Sequence, residues 1–251
     1  MAKAAKKAVK AKAKSGAKPR AKRAVRGKAK AKATSKIKAQ PKAARRGPVP
    51  VLYGHFASTP SIKVALMLKL AGVEHEYRHV DLMQGAHKAS DFLEINRYGQ
   101  VPALVDGKLK LCQSNAILEY LAEKTGKLGM GGVAQRQHIR EWLAWEADIL
   151  APGISGTRAH VLLFKSPPDV IQVVTQRGQR ALDPLEATLA KSKFLTGAKP
   201  TIADLACAIH VSFADQAQIS LEPYPQVRAW LGRMDALRGW TSPRHALPRP
   251  T

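Results

Sequence analysis

Two short stretches of the sequence hold residue types that could handle an anion. Ser58 and Thr59 stand directly before Pro60, where a short apolar run gives way to a helical pattern. A hydroxyl there can donate a hydrogen bond. The first turn of the helix adds free N–H groups and a partial positive charge. The same residues can also serve as helix caps alone. Gln113-Ser114 stands at a second helix start and offers the same combination. Between them lies Gly99-Gln100-Val101-Pro102, a turn whose proline can set the direction of the following strand.

Other candidates carry less. His55 lies beside the Ser58 loop, but no acid or nucleophile is arranged around it. His75 and His79, with Glu74 and Glu76, suggest a metal cluster but fit the exposed face of a strand. Gly129-Met130-Gly131-Gly132 follows no strand, so it reads as a linker and not a phosphate loop. Cys112 and Cys207 are far apart and make no disulfide framework, which fits a reducing compartment.

The elements that must position these residues are legible. Residues 49–54 read as a buried strand and 55–58 as a loop. Thr59-Pro60 opens a helix with Ile62, Ala65, Leu66 and Leu70 on its apolar face. Gly72 ends it. Residues 74–82 read as a second strand and 90–96 as a short helix. Two strands joined at Asp106-Gly107 form a hairpin. Ser114 then caps a helix carrying Ile117, Tyr120 and Leu121. This order predicts an α/β domain over 49–125 with a four-stranded mixed sheet.

After a linker over 126–132, the pattern over 133–251 is helical throughout. Ile139, Leu143, Ala147 and Leu150 recur at helical spacing, with Trp142 and Trp145 nearby. Residues 159–164 form a second stretch, or continue the first past Pro152-Gly153. Residues 170–190 form another. Thr201-Ile202-Ala203-Asp204 is a capping box, and 224–237 makes a last helix.

This arrangement resembles the cytosolic glutathione transferase family, of the theta- and nu-like bacterial type. The resemblance rests on Leu52-Tyr53-Gly54, Ser58-Thr59-Pro60-Ser61, Asn96-Arg97-Tyr98-Gly99-Gln100-Val101-Pro102 and Gln113-Ser114-Asn115. It extends into the helical half, over about 200 residues. It implies a thioredoxin-like N-terminal domain, an all-α C-terminal domain and glutathione as co-substrate, without a metal. It implies a reaction in which the glutathione thiolate attacks an electrophile, or reduces a peroxide or disulfide. In theta-like members a serine in this loop holds the thiolate, and Ser58 matches it. In nu-like members the residue before the proline does so, here Thr59. Ser58 is taken first, Thr59 second and Ser61 third. The resemblance further implies a cis Val101–Pro102 bond. It places Gln100, Val101, Pro102, Gln113 and Ser114 in glutathione binding. Phe56, Trp142, Trp145, Arg158 and Leu162 become candidates for the second-substrate pocket. It also implies a homodimer and a cytoplasmic protein. A Thr-x-x-Asp box is similar to that of the family's buried core helix, so Asp204 is read as structural.

Charge separates the chain into two parts. The net charge is +24, yet residues 1–46 hold 19 Lys and Arg and no Asp or Glu. The rest carries 42 − 19 = 23 basic against 18 acidic residues, a net of +5. Repeats such as Lys10-Ala11-Lys12-Ala13-Lys14, broken by Pro19 and Pro41, leave little to bury, so residues 1–48 are expected to be disordered. Such a tail suits a polyanion, and non-specific DNA or RNA binding with nucleoid association is one expectation. A targeting segment and a solvated extension without a partner are the others. The resemblance to linker-histone-like tails is compositional. No apolar run reaches about 18 residues, and the N-terminus lacks the apolar segment of a secretory signal. A non-catalytic transferase-fold module tethered to nucleic acid is the alternative to an enzyme.

Overall fold

Strand β1 (Val51–Gly54) leads into helix α1 (Thr59–Leu70) through the loop that carries Ser58. The computed structural model describes residues 48–250. The basic segment read as a disordered tail lies outside the described residues, apart from Pro48. Strand β2 (Glu76–His79) pairs parallel to β1, with Val51 opposite Glu76. After the short helix α2 (Ser90–Leu93) come β3 (Ala103–Asp106) and β4 (Leu109–Cys112). β3 runs antiparallel to β1, with Leu52 opposite Leu104. The sheet order is β2-β1-β3-β4, the four-stranded mixed sheet expected. Gly107 at the β3–β4 turn has φ of 62°, a conformation that glycine adopts without steric cost. β2 is shorter than the nine residues expected. Its residues alternate between exposed and half-buried, so it makes an edge with one wet face.

Helix α1 is buried almost all round, from Thr59 to Leu68 apart from Pro60. It is packed against α3 (Ser114–Thr125) and, across the molecule, against α8 (Ile202–Val211). Its only cation in that stretch, Lys63, is therefore 2% exposed. This burial decides much of the polar structure around the site.

The helical half begins at α4 (Val133–Trp145). The rod then continues without a break through wider π-type turns over Glu146–Gly156 into α5 (Thr157–Leu162). The sequence left open whether the helix survives Pro152. It does, because π-type turns re-route the bonds that the missing proline N–H would break. The stretch expected over 170–190 divides into α6 (Pro168–Arg180) and α7 (Asp183–Leu189). Pro184 stands in the first turn of α7, where its missing N–H breaks no helical bond. Gly178 on α6 meets Gly153 closely enough that a Cβ on Gly178 would lie 2.2 Å from the Gly153 carbonyl oxygen.

Helix α8 is wholly buried, and α9 (Pro225–Asp235) closes the bundle. The capping box forms at α8 as read from sequence. Asp204 Oδ2 accepts from the Thr201 N–H at 2.9 Å. Its Oδ1 accepts from the Leu195 N–H at 2.8 Å and from Trp230 Nε1 at 3.0 Å. Every bond of this carboxylate is structural.

Candidate active site

Ser58 is the N-cap of α1, in extended conformation, and its Oγ accepts from the Ser61 N–H at 3.3 Å. That bond uses an acceptor site and leaves the Ser58 O–H free to donate. The two other hydroxyls are committed inward. Thr59 is 3% exposed and its Oγ1 lies 3.0 Å from Ser155 Oγ. Ser61 is fully buried, and its Oγ accepts from the His55 N–H at 3.2 Å. Ser58 lines two clefts at once, one polar and one apolar.

The polar cleft has a volume of about 490 Å³. The structure brings Ser58, Gln100, Val101, Pro102, Gln113 and Ser114 together around it. The Val101–Pro102 bond is cis. Val101 makes no backbone hydrogen bond among the described residues, so its N–H and C=O can pair with an extended peptide. Gln113 holds φ of 67°, in the left-handed region that non-glycine residues rarely occupy. No side chain caps α3, and its first free backbone donors stand at the Ser114 end.

Reading the sequence alone missed three members of this cleft. Asn96 is 1% exposed and fixes the turn, donating to the Gln100 carbonyl at 2.5 Å and accepting from the Tyr98 N–H at 3.0 Å. His87 and Lys88 bring basic groups to the same wall, and Lys88 Nζ donates to the Gly99 carbonyl at 3.0 Å. The run Ala86-His87-Lys88-Ala89 carries no motif that marks it.

The apolar cleft, about 420 Å³, shares Ser58, Pro60 and Leu82 with the polar one. Met83, Ala159, Leu162 and Leu163 line it, together with Arg158. Arg158 Nη1 donates to the Ala57 carbonyl at 2.9 Å and its Nε to Gln216 Oε1 at 2.5 Å. It pairs with neither Glu146 nor Asp148. Phe56 lines an adjoining cavity of about 210 Å³ that shares Arg158 and Ala57. Trp142 and Trp145 line neither space. They meet edge to face, with ring centroids 5.1 Å apart, and pack against the core. His55 borders the apolar cleft and stacks on Phe56. Burial, and then His79, hold its imidazole below the ordinary value. Its Nδ1 accepts from the Ala57 N–H at 3.1 Å, shaping the loop. Neither cysteine borders these clefts, and burial pushes both thiols up. Among the described residues no group of three or more His, Cys, Asp or Glu is placed to hold a metal ion.

A buried polar chain runs beneath the loop. Thr59 meets Ser155, whose Oγ lies 2.7 Å from His210 Nδ1. His210 Nε2 lies 2.5 Å from Glu146 Oε1. Lys63 Nζ donates to Glu146 Oε1 at 2.8 Å and to Asn115 Oδ1 at 3.0 Å. Asn115 Nδ2 donates to Glu146 Oε2 at 2.7 Å. Burial opposes ionisation of Glu146, but His210 and Lys63 outweigh it and hold the carboxyl at about 2. Burial holds His210 below its ordinary value despite Glu146. Lys63 then supplies the charge that Glu146 needs at neutral pH. A neutral imidazole beside a carboxylate keeps its proton on the near nitrogen, so Nδ1 accepts from Ser155. The chain thus ties the residue after Ser58 to the residue after Ser114.

A thioredoxin-like α/β domain packed on an all-helical domain, with an open hydroxyl at the first helix N-terminus, defines a glutathione transferase fold. Residues 49–123 match the family model "Glutathione S-transferase, N-terminal domain". Residues 168–233 match "Glutathione S-transferase, C-terminal domain". Glutathione S-transferase F9 of Arabidopsis thaliana is 37% identical over 174 residues, covering 65% of this chain and 79% of that protein. Disulfide-bond oxidoreductase YfcG of Escherichia coli is 32% identical over 191 residues, covering 72% of this chain and 88% of that protein. A crystal structure of a glutathione S-transferase from Pseudomonas fluorescens superposes with a TM-score of 0.74 at 28% identity, over 78% of this chain and 98% of that one. The chain belongs to the glutathione S-transferase family. No helix among the described residues is long and apolar enough to cross a membrane.

Proposed function

We propose that this chain is a glutathione transferase in which Ser58 donates a hydrogen bond to the cysteinyl sulfur of glutathione. The observation that carries the reading is the position of Ser58. Its free hydroxyl stands at the N-terminus of α1, on the boundary between a polar and an apolar cleft. A free thiol has a pKa of about 8.5, and one unit of lowering takes about 1.36 kcal/mol. A hydroxyl donor and a helix N-terminus, each worth about 1–2 kcal/mol, leave much of the thiol ionised at neutral pH.

The polar cleft supplies the rest of the tripeptide's needs. Val101 offers peptide-like pairing, and the open end of α3 at Gln113 and Ser114 suits the γ-glutamyl carboxylate. Lys88 and His87 suit the glycyl carboxylate. The apolar cleft along Leu162 takes the second substrate. The thiolate then attacks an electrophilic carbon and expels its leaving group, or attacks a peroxide or disulfide. The similarity to a disulfide-bond oxidoreductase supports keeping reduction within this reading. The serine-type loop favours the theta-like comparison over the nu-like one, because Thr59 is spent on Ser155. A homodimer and a polyanion-binding tail over residues 1–46 belong to the same reading.

The test is retention on immobilised glutathione, followed by turnover of a panel of electrophiles and peroxides. Retention with glutathione-dependent turnover, lost together in Ser58→Ala combined with Thr59→Ala, is the expected result. A folded wild-type chain that passes through the column and turns over nothing on the panel would overturn the assignment.

A further inference from the structure

The small cavity beside the apolar cleft is built mostly from arginines, a histidine and aromatic rings. Arg158, Arg244, Arg249 and His245 line it with Phe56 and Phe213, and no Asp or Glu does. Arg158 and Arg244 lie over one ring, with guanidinium carbons 4.7 Å and 5.3 Å from the Phe213 centroid. Arg249 lies 5.5 Å from the Phe56 centroid. Among the described residues the carboxylate that acts on this group is Asp215, which receives Arg244 Nη2 at 2.6 Å from outside the cavity. Arg249 has no hydrogen-bond or ion-pair partner among the described residues.

Three guanidiniums facing one space, with Asp215 as the one carboxylate on them among the described residues, repel each other. Their ring contacts hold them in place without neutralising them. Two of the five Arg158 N–H donors are spent on Ala57 and Gln216, so its outer nitrogen keeps free donors. Burial, and then Arg244, push the Arg158 guanidinium down. An anion placed there would relieve the repulsion and meet fork-shaped donors suited to a carboxylate.

We infer that this cavity is an anion subsite for the second substrate, which is an electrophile with an apolar body and a carboxylate-like group at its far end. The inference rests on the proposed transferase reading, since the apolar cleft is lined by both Ser58 and Arg158 and the small cavity shares Arg158 and Ala57 with it. The apolar body lies along Leu162 and Leu163, and the anionic end reaches Arg158, Arg244 and Arg249.

A matched pair of substrates tests it: 4-chloro-3-nitrobenzoate and its methyl ester. In both, the glutathione sulfur forms a bond to the ring carbon, chloride leaves, and the thiol proton passes to solvent. The rates are divided by the uncatalysed rates, because the ester is the more reactive ring. The acid is expected to be preferred by about tenfold or more in kcat/KM, a size typical of charge-assisted Arg–carboxylate bonds. In Arg249→Gln and in Arg244→Gln that preference falls toward one. A wild-type enzyme that prefers the ester, or a preference that both variants keep, overturns the subsite. Calorimetric binding of the same pair without glutathione separates this from the transferase reading. Acid-selective binding that Arg249→Gln abolishes, with no turnover of either compound, would support the subsite while sinking the enzyme assignment. Equal binding of acid and ester sinks the subsite whatever the turnover.

Discussion

Lys63 Nζ lies 2.8 Å from Glu146 Oε1, with the two side chains 2% and 1% exposed and 83 residues apart in the chain. The pair joins α1 of the first domain to the turn after α4. Taking two charges out of water is costly, and their attraction offsets that cost only while both are present. Lys63→Ala should therefore destabilise the protein by about 3–5 kcal/mol, because Glu146 is left buried without its cation. Urea denaturation followed by tryptophan fluorescence measures this. The double variant Lys63→Met with Glu146→Leu should recover most of the loss. If the single variant costs less than about 1 kcal/mol, the pair is not acting as a buried ion pair.

The acid limb of stability follows from the same cluster. Glu146 is held at about 2, below its ordinary 4.5. Its contribution is full above about 4.5 and is lost as pH falls toward 2, a loss of ~3 kcal/mol. His210 is also held down by burial. The unfolded chain takes up a proton near 6.5 while the folded chain does not, so stability should begin to fall below that pH. Thermal midpoints between pH 8 and pH 4 should show this early decline. Replacing His210 by Asn should remove the part that begins just below about 6.5. A midpoint flat from pH 7 to pH 5 in the wild type would contradict the assignment.

Gly178→Ala tests the closest helix contact. A Cβ there would stand 2.2 Å from the Gly153 carbonyl oxygen and 2.5 Å from Ile219 Cδ1. The first obstacle is backbone and cannot swing away. Overpacking of a tight core typically costs ~1–3 kcal/mol, which here exceeds the gain in helix propensity of up to about 1 kcal/mol. Gly232→Ala on α9 meets nothing within 4 Å and should be neutral or stabilising. The denaturation midpoint of Gly178→Ala should therefore fall while that of Gly232→Ala stays level or rises.

Sheet and site loops were legible because each is marked locally. Pro60 opens α1, Asp106-Gly107 turns the hairpin, and the Thr201–Asp204 box starts α8. Ser58 and Thr59 before Pro60 made the first loop a candidate site, although the same pattern also serves a helix cap alone. The contacts that complete the site are long-range and leave no periodic trace. Lys63, Asn115, Glu146 and His210 look like scattered polar residues on helices. Only the all-round burial of α1 and α8 forces them together. The passage through Pro152 was ambiguous because proline normally ends a helix, and the π-type turns depend on packing against α6. The three arginines of the small cavity come from α5, a 3-10 turn and the C-terminal segment, so no spacing rule could join them.

The basic segment over residues 1–46 makes a separate prediction. With 19 cations and no acid or aromatic residue, its binding to duplex DNA should be strong at low salt and indifferent to sequence. If about 6–10 phosphates are met, affinity should fall about 10³–10⁵-fold between about 50 and 200 mM salt. Fluorescence anisotropy with two unrelated duplexes measures both properties. Deleting residues 1–46 should abolish binding. Retained binding by the truncated chain would move the nucleic-acid site to the folded body.

Ser58→Ala and Thr59→Ala should separate in kind as well as size. The Ser58 hydroxyl is free to donate into the clefts, while that of Thr59 is spent on Ser155 and the buried chain behind it. Losing a donor to a thiolate raises the pKa of the bound thiol, so Ser58→Ala should lower kcat/KM by about 10–100-fold near pH 6.5. The deficit should narrow near pH 9, where the thiol ionises without help. Thr59→Ala removes a buried bond and should cost ~1–2 kcal/mol of stability, with a smaller and nearly pH-independent loss of rate. A pH–rate profile of each variant decides between them. If Thr59→Ala shifts the profile and Ser58→Ala does not, the sulfur is held by Thr59, and the inward bond to Ser155 must open when glutathione binds.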